Sequence, residues 1–151
     1  RFESRGLGDV YKRQAYDSDN IFAKILRGEA PAFKVYEDDY SLAFMDVMPQ
    51  VDGHTLVIPK DPTENIHNAD PTILGHTMAT VQTVAAAVKK AFYAPGIMLA
   101  QLNGEAAGQT VFHLHFHILP RREGLEMLMH ARQMADFGVL EQHAQRIREA
   151  L

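Results

Sequence analysis

The chain contains no cysteine. That excludes disulfides and thiolate zinc sites, and it fits a reducing compartment. No run is long and apolar enough to span a bilayer. Nor is there an excess of positive charge. Fifteen Lys/Arg stand against 19 Asp/Glu, for a net charge of −4, so no global field points to nucleic acid or an anionic membrane. The remainder is ordinary: 151 residues and 46% hydrophobic content suit one domain around one core. These features predict a cytoplasmic protein with neither a nucleic-acid nor a membrane partner.

Arg1 to about Gln14 stand apart. They show no hydrophobic period, Arg5-Gly6-Leu7-Gly8-Asp9 reads as linker, and the apolar region of a signal peptide is missing. We read residues 1–14 as a non-native or disordered segment ahead of a single domain over residues 15–151. The segment holds four of the 15 Lys/Arg and two of the 19 Asp/Glu, which leaves 11 and 17 and a net charge of −6.

Ser18-Asp19-Asn20 offers N-caps for a short helix carrying Ile21, Phe22, Ile25 and Leu26, with Gly28 as its natural stop. Val35-Tyr36 and Leu42-Ala43-Phe44-Met45 read as a hairpin around the acidic turn Glu37-Asp38-Asp39. A loop follows, and His54 to Ile58 reads as a third strand stopped by Pro59. Asp70 then Pro71 is a carboxylate cap followed by proline at the first helical position. Leu74, Met78, Val81, Ala85, Val88 and Phe92 form one apolar stripe, predicting a long helix that covers the sheet. Ile97 to Leu102 is a fourth strand, and Asn103 to Gln109 a loop of small residues. Asp136 caps a last helix with Leu140, Ala144, Ile147 and Leu151 on one side, whereas the methionine-rich Glu126 to Gln133 gives no firm reading. Strands largely adjacent in sequence predict an α+β domain with a five-stranded antiparallel sheet.

The chemistry concentrates in His113-Leu114-His115-Phe116-His117-Ile118-Leu119. Alternation predicts a strand with three histidines on one face, ending at Pro120. Two roles make sense of it. The histidines could hold a metal, with His54 or Asp46 as a further ligand. Alternatively, one histidine is a nucleophile and its neighbours orient it or move protons. Gly108-Gln109-Thr110, just upstream, supplies an amide, a hydroxyl and backbone N–H groups suited to an oxyanion or phosphate. A metal site has no need of these, and no carboxylate lies inside the triad. Both observations favour the nucleophile.

The same seven residues match the His-φ-His-φ-His-φ-φ signature of the histidine triad (HIT) family, with every φ apolar. The likeness extends in order and spacing. It includes Asn20 to Leu26, Val35 to Asp39, Phe44 to Gln50, His54 to Lys60, Asn103, and Gly108-Gln109-Thr110, and so covers about Asn20 to Arg122. The chain most resembles the branch of histidine triad nucleotide-binding proteins found in bacteria.

This resemblance implies a HIT-like fold and a nucleotide hydrolase or transferase acting at the α-phosphate, with a purine nucleotide or nucleotide conjugate as ligand. His115 would attack phosphorus, and His117 would contact the phosphate or protonate the leaving group. His113 and His54 would orient the other rings. Gln109 and Thr110, beside Gly108, would hold phosphate oxygens, and Asn103 would brace the loop or reach the ligand. Asp46 would accept from the ribose hydroxyls, and Ile21, Phe22 and Val47 would wall the base. The resemblance further implies a homodimer through the fourth strand and long helix, and no metal or cofactor in the site. Some bacterial relatives carry a structural zinc held partly by cysteines, and that site should be missing here. A non-catalytic nucleotide-binding or scaffold role is the alternative.

Overall fold

The computed structural model describes residues 16–125 and 133–151. The segment read as non-native and most of the methionine-rich stretch, including His130, therefore lie outside the described residues. Helix α1 (Ile21–Leu26) is capped by the Asn20 side chain, which accepts from the Ala23 N–H. Strands β1 (Lys34–Glu37), β2 (Ser41–Met45) and β3 (Thr55–Pro59) follow, then helix α2 (Pro71–Ala91), strand β4 (Gly96–Ala100), strand β5 (Phe116–Arg121) and helix α3 (Phe137–Ala150). The strands form one antiparallel sheet in the order β1-β2-β3-β5-β4. The expected α+β class, five strands, long helix and two flanking helices are thus present.

Alternation along the strands splits the sheet into two faces. Ala43, Met45, Val57, Phe116 and Ile118 belong to the core beneath α2 and α3, with Val81, Val84, Val88, Leu140, Ala144 and Ile147. Leu42, Phe44, Leu56 and Ile58 face the other way and pack against Phe22 and Ile25 of α1. His54 and His117 lie in phase with Leu56, because Leu56 pairs with His117. The polar side chains of interest therefore emerge on the α1 face.

Two expectations shift in register. Helix α2 is capped by Asp70, and Leu74, Val81, Ala85, Val88 and Phe92 of the expected stripe pack on the core, but Met78 is 39% exposed and Thr77, Thr80, Val84 and Ala87 widen the buried face. The threonines tolerate burial because their hydroxyls are satisfied: Thr77 donates to the Ile73 carbonyl and Thr80 pairs with Ser41 Oγ. The second shift concerns the histidines. The strand starts at Phe116, so only His117 lies within it. Continuing the register would place Leu114 opposite Pro59, which has no N–H to donate. The ladder stops, the Leu114 N–H donates to the Thr63 carbonyl, and the Pro59 carbonyl takes the His113 ring. At the far end β5 runs through Pro120 to Arg121 instead of stopping. There only β4 remains as its partner.

Candidate active site

His115 is held from its own backbone side. Its Nδ1 lies 2.7 Å from the His113 carbonyl oxygen. A carbonyl only accepts, so Nδ1 carries the proton and Nε2 keeps a lone pair. Phe22 packs on the ring at a centroid distance of 5.0 Å and fixes its plane. Burial lowers the pKa of His115, which keeps that lone pair available at neutral pH.

A second chain of hydrogen bonds fixes His117. The Gln50 backbone N–H donates to His54 Nδ1 at 3.0 Å, so the His54 proton sits on Nε2. That nitrogen lies 2.9 Å from His117 Nδ1 and donates to it. His117 in turn carries its proton on Nε2. Burial first, then the neighbouring histidines, pushes His54 down to about 3, and burial with His115 holds His117 at about 4. Both rings are neutral at pH 7. The pair His115 and His117, with centroids 5.0 Å apart, thus presents one ring with a lone pair beside one with an N–H donor.

His113 is fully buried, and both of its ring nitrogens are engaged. Its Nε2 donates to the Pro59 carbonyl at 2.8 Å, and its Nδ1 accepts from the Tyr16 hydroxyl at 2.6 Å. Tyr16 falls in no periodic pattern or motif, and Pro59 reads in the sequence only as a strand stop, so neither contact to His113 is legible there.

Asp46 lies beside His54, with Oδ2 3.4 Å from His54 Nε2 and Oδ1 accepting the Met48 N–H. With His54 neutral this is a charge–dipole contact, not an ion pair. Burial raises Asp46 to about 6. Asp46, His54 and His117 cluster closely enough to suggest a cation site. The tautomers argue otherwise. A cation on His54 Nε2 would displace the proton there, and Nδ1 cannot take that proton while it accepts the Gln50 N–H.

The loop residues divide. Thr110 is exposed, and Gly108 turns the chain with φ +102°. Gln109 is 2% exposed and spends its side chain internally: Oε1 accepts the Gly104 N–H, and the amide donates to the Glu64 and Val111 carbonyls. Both amide hydrogens are occupied, so Gln109 braces the loop and has none left for a phosphate. Asn103 is also a brace, accepting from the Ile66 N–H and pairing with the Gln101 amide. Ile21 is 46% exposed and Val47 half-buried, whereas Phe22 is buried against the histidines. His76 stacks on Tyr40 and His143 packs on Phe92, both away from this cluster.

A model of the HIT domain matches residues 27–124. The chain belongs to the HIT family. Across 120 residues it is 38% identical to adenylylsulfatase HINT3 of Arabidopsis thaliana, covering 80% of this chain but only 60% of that protein. A HIT-like protein of Bartonella henselae described as involved in cell-cycle regulation superposes with a TM-score of 0.85. It is 52% identical and covers 91% of this chain and all of that one. A hypothetical histidine triad nucleotide-binding protein of Sulfolobus tokodaii superposes at 0.79 with 36% identity, covering 85% of this chain and 89% of that one. This HIT chain thus falls among HINT-like nucleotide-binding proteins, a group that includes a hydrolase. No helix among the described residues is long and apolar enough to cross a membrane.

Proposed function

We propose that this HIT protein hydrolyses or transfers the nucleotidyl group of a purine nucleotide conjugate, with His115 as nucleophile. The observation that carries the reading is the 2.7 Å bond between His115 Nδ1 and the His113 carbonyl. Nε2 attacks the α-phosphorus, a P–N bond forms, and the bond from phosphorus to the leaving group breaks. Positive charge then develops on the ring, next to a carbonyl dipole already in place to stabilise it. The leaving group departs with the electron pair and takes its proton from solvent. Water next attacks phosphorus, the P–N bond breaks, and a nucleoside monophosphate leaves as the water proton passes to solvent.

His117 Nε2–H and the Thr110 hydroxyl donate to the phosphoryl oxygens. Full proton transfer from His117 is disfavoured. A second ring proton on Nδ1 would face the His54 N–H at 2.9 Å. Asp46 accepts from the ribose hydroxyls, and Ile21, Phe22 and Val47 wall the base. Two copies pair through the open edge of β4, where Leu99 is 47% exposed. The test is to quench turnover of adenosine phosphoramidate without acid and map the adduct by peptide mass. A nucleotidyl group on His115 is expected, and an adduct on His113 or His117 would overturn the assignment. Adenylyl sulfate is a second probe, suggested by the Arabidopsis relative.

A further inference from the structure

We propose that Tyr16 is a positioning residue for the histidine nucleophile, acting through His113. This rests on the reading of His115 given above. The hydroxyl of Tyr16 lies 2.6 Å from His113 Nδ1, and the opposite nitrogen of that ring donates to the Pro59 carbonyl at 2.8 Å. The carbonyl admits one tautomer only, so Nδ1 is an acceptor and Tyr16 is its donor. His113 is thus clamped at both ends of its ring between β3 and the segment ahead of α1. The backbone carbonyl of His113 itself holds His115 Nδ1–H. The clamp on the ring anchors the His113 backbone, and drift of that backbone moves the carbonyl and with it the direction of the His115 lone pair.

Tyr16 does not behave as a core filler. It is only half-buried, and it forms one wall of a polar cleft of about 310 Å³ lined also by Pro62, Thr63, Glu64, His67 and Asn68. Its ring meets His113 edge-on at 5.7 Å, which leaves the hydroxyl as its specific contribution. Burial raises the phenol pKa, so the proton stays on the oxygen as a donor. Without that donor, a fully buried ring nitrogen is left unpartnered. The ring can then exchange tautomers or tilt, and it lets go of Pro59 when it does.

Tyr16→Phe keeps the ring and deletes only the donor. We expect an unchanged fold by circular dichroism and an affinity for adenosine monophosphate close to the parent. The expected kcat for adenosine phosphoramidate falls about three- to tenfold, as for one buried hydrogen bond transmitted to the reacting atom, while KM changes little. The second readout is nitrogen NMR of the histidine rings. The parent should show His113 with Nε2 protonated and a hydrogen-bonded Nδ1, and the variant should lose that Nδ1 signature and show mixed tautomers. Tyr16→Leu, which also removes the edge contact, should be slower still. Parent kcat together with parent ring spectra in Tyr16→Phe would overturn the proposal. So would a loss confined to KM. His115→Ala is run beside it. If that variant turns over normally, the nucleophile reading fails on its own, and the ring spectra still decide whether Tyr16 fixes His113.

Discussion

His115→Ala separates chemistry from binding. The substitution removes the ring that bonds the His113 carbonyl at 2.7 Å and packs against Phe22 at 5.0 Å. The carbonyl is left without that donor and a small void opens beside Phe22. Together these cost on the order of 1–3 kcal/mol of stability, which a folded domain with two packed sheet faces survives. The rest of the pocket is untouched: Asp46, Ile21 and Val47 are placed by other elements, and His117 is fixed by His54 and Gln50. Adenosine monophosphate should therefore bind within about threefold of the parent, a difference under about 0.7 kcal/mol. Turnover should fall by at least about 10⁴-fold, because the covalent route is lost outright. His117→Ala is the contrast. It keeps the nucleophile and loses one phosphate donor, so a drop of about 10²-fold is expected. Calorimetry with the monophosphate and a coupled assay of phosphoramidate turnover measure the two halves. Parent-like turnover by His115→Ala would refute the mechanism. Lost binding with unchanged kcat would place His115 in the binding pocket alone.

Stability should fall on acidification from neutral pH. His54, His113 and His117 titrate in the folded chain at about 3, 4 and 4, below their ordinary 6.5. The unfolded chain therefore takes up protons first, and stability drops as pH falls from about 6.5 toward those folded values. Asp46, raised from 3.8 to about 6, works the other way, with stability present below 3.8 and lost as pH rises through 6. Three groups outnumber one, so the melting temperature should decline between pH 7 and 4.5, and a flat or rising profile would refute this balance. Leu99→Glu puts a charge on the open edge of β4 and should convert a dimer to a monomer in sedimentation. A parent that sediments only as a monomer would remove the dimer from the reading. Dialysis against a strong chelator should leave turnover intact, and loss of activity restored by zinc would favour the metal alternative.

The local chemistry of the chain was legible wherever neighbours in sequence decide it. Asp70 and Asp136 cap the helices they were read to cap, and Asn20, one of three candidates, caps α1, each accepting from backbone N–H groups two or three residues on. What long-range pairing decides was not legible. The alternation through His113, Leu114 and His115 looked like strand, but Pro59 across the sheet ends the ladder, and nothing in the heptapeptide records that. The face of α2 was legible in Leu74, Val81, Ala85, Val88 and Phe92, which pack on the core, but not in Thr77 and Thr80, whose hydroxyl partners come only with the fold. Asn103, read as bracing the loop or reaching the ligand, braces it, and Gln109, read as a phosphate contact, has both amide hydrogens taken by loop carbonyls. Tyr16 meets His113 across 97 residues of chain, a contact with no local signature.

The same distinction bears on the choice between a metal and a nucleophile. In sequence, Asp46, His54 and His117 are a plausible ligand set, and in space they converge. What separates the readings is the whereabouts of single protons. The Gln50 N–H occupies the Nδ1 lone pair of His54, so the ring's one proton lies on Nε2 and bridges to His117. That bridge leaves His117 with an outward N–H, which can donate to a phosphate and cannot ligate a cation. On the neighbouring ring the His113 carbonyl does the reverse and leaves His115 with an outward lone pair. Backbone groups, placed by the loop ahead of β3 and by the residues ahead of β5, thus sort chemically identical side chains into one that presents an N–H and one that presents a lone pair. Neither assignment depends on the order of histidines in the motif, and each fails if the backbone group behind it moves.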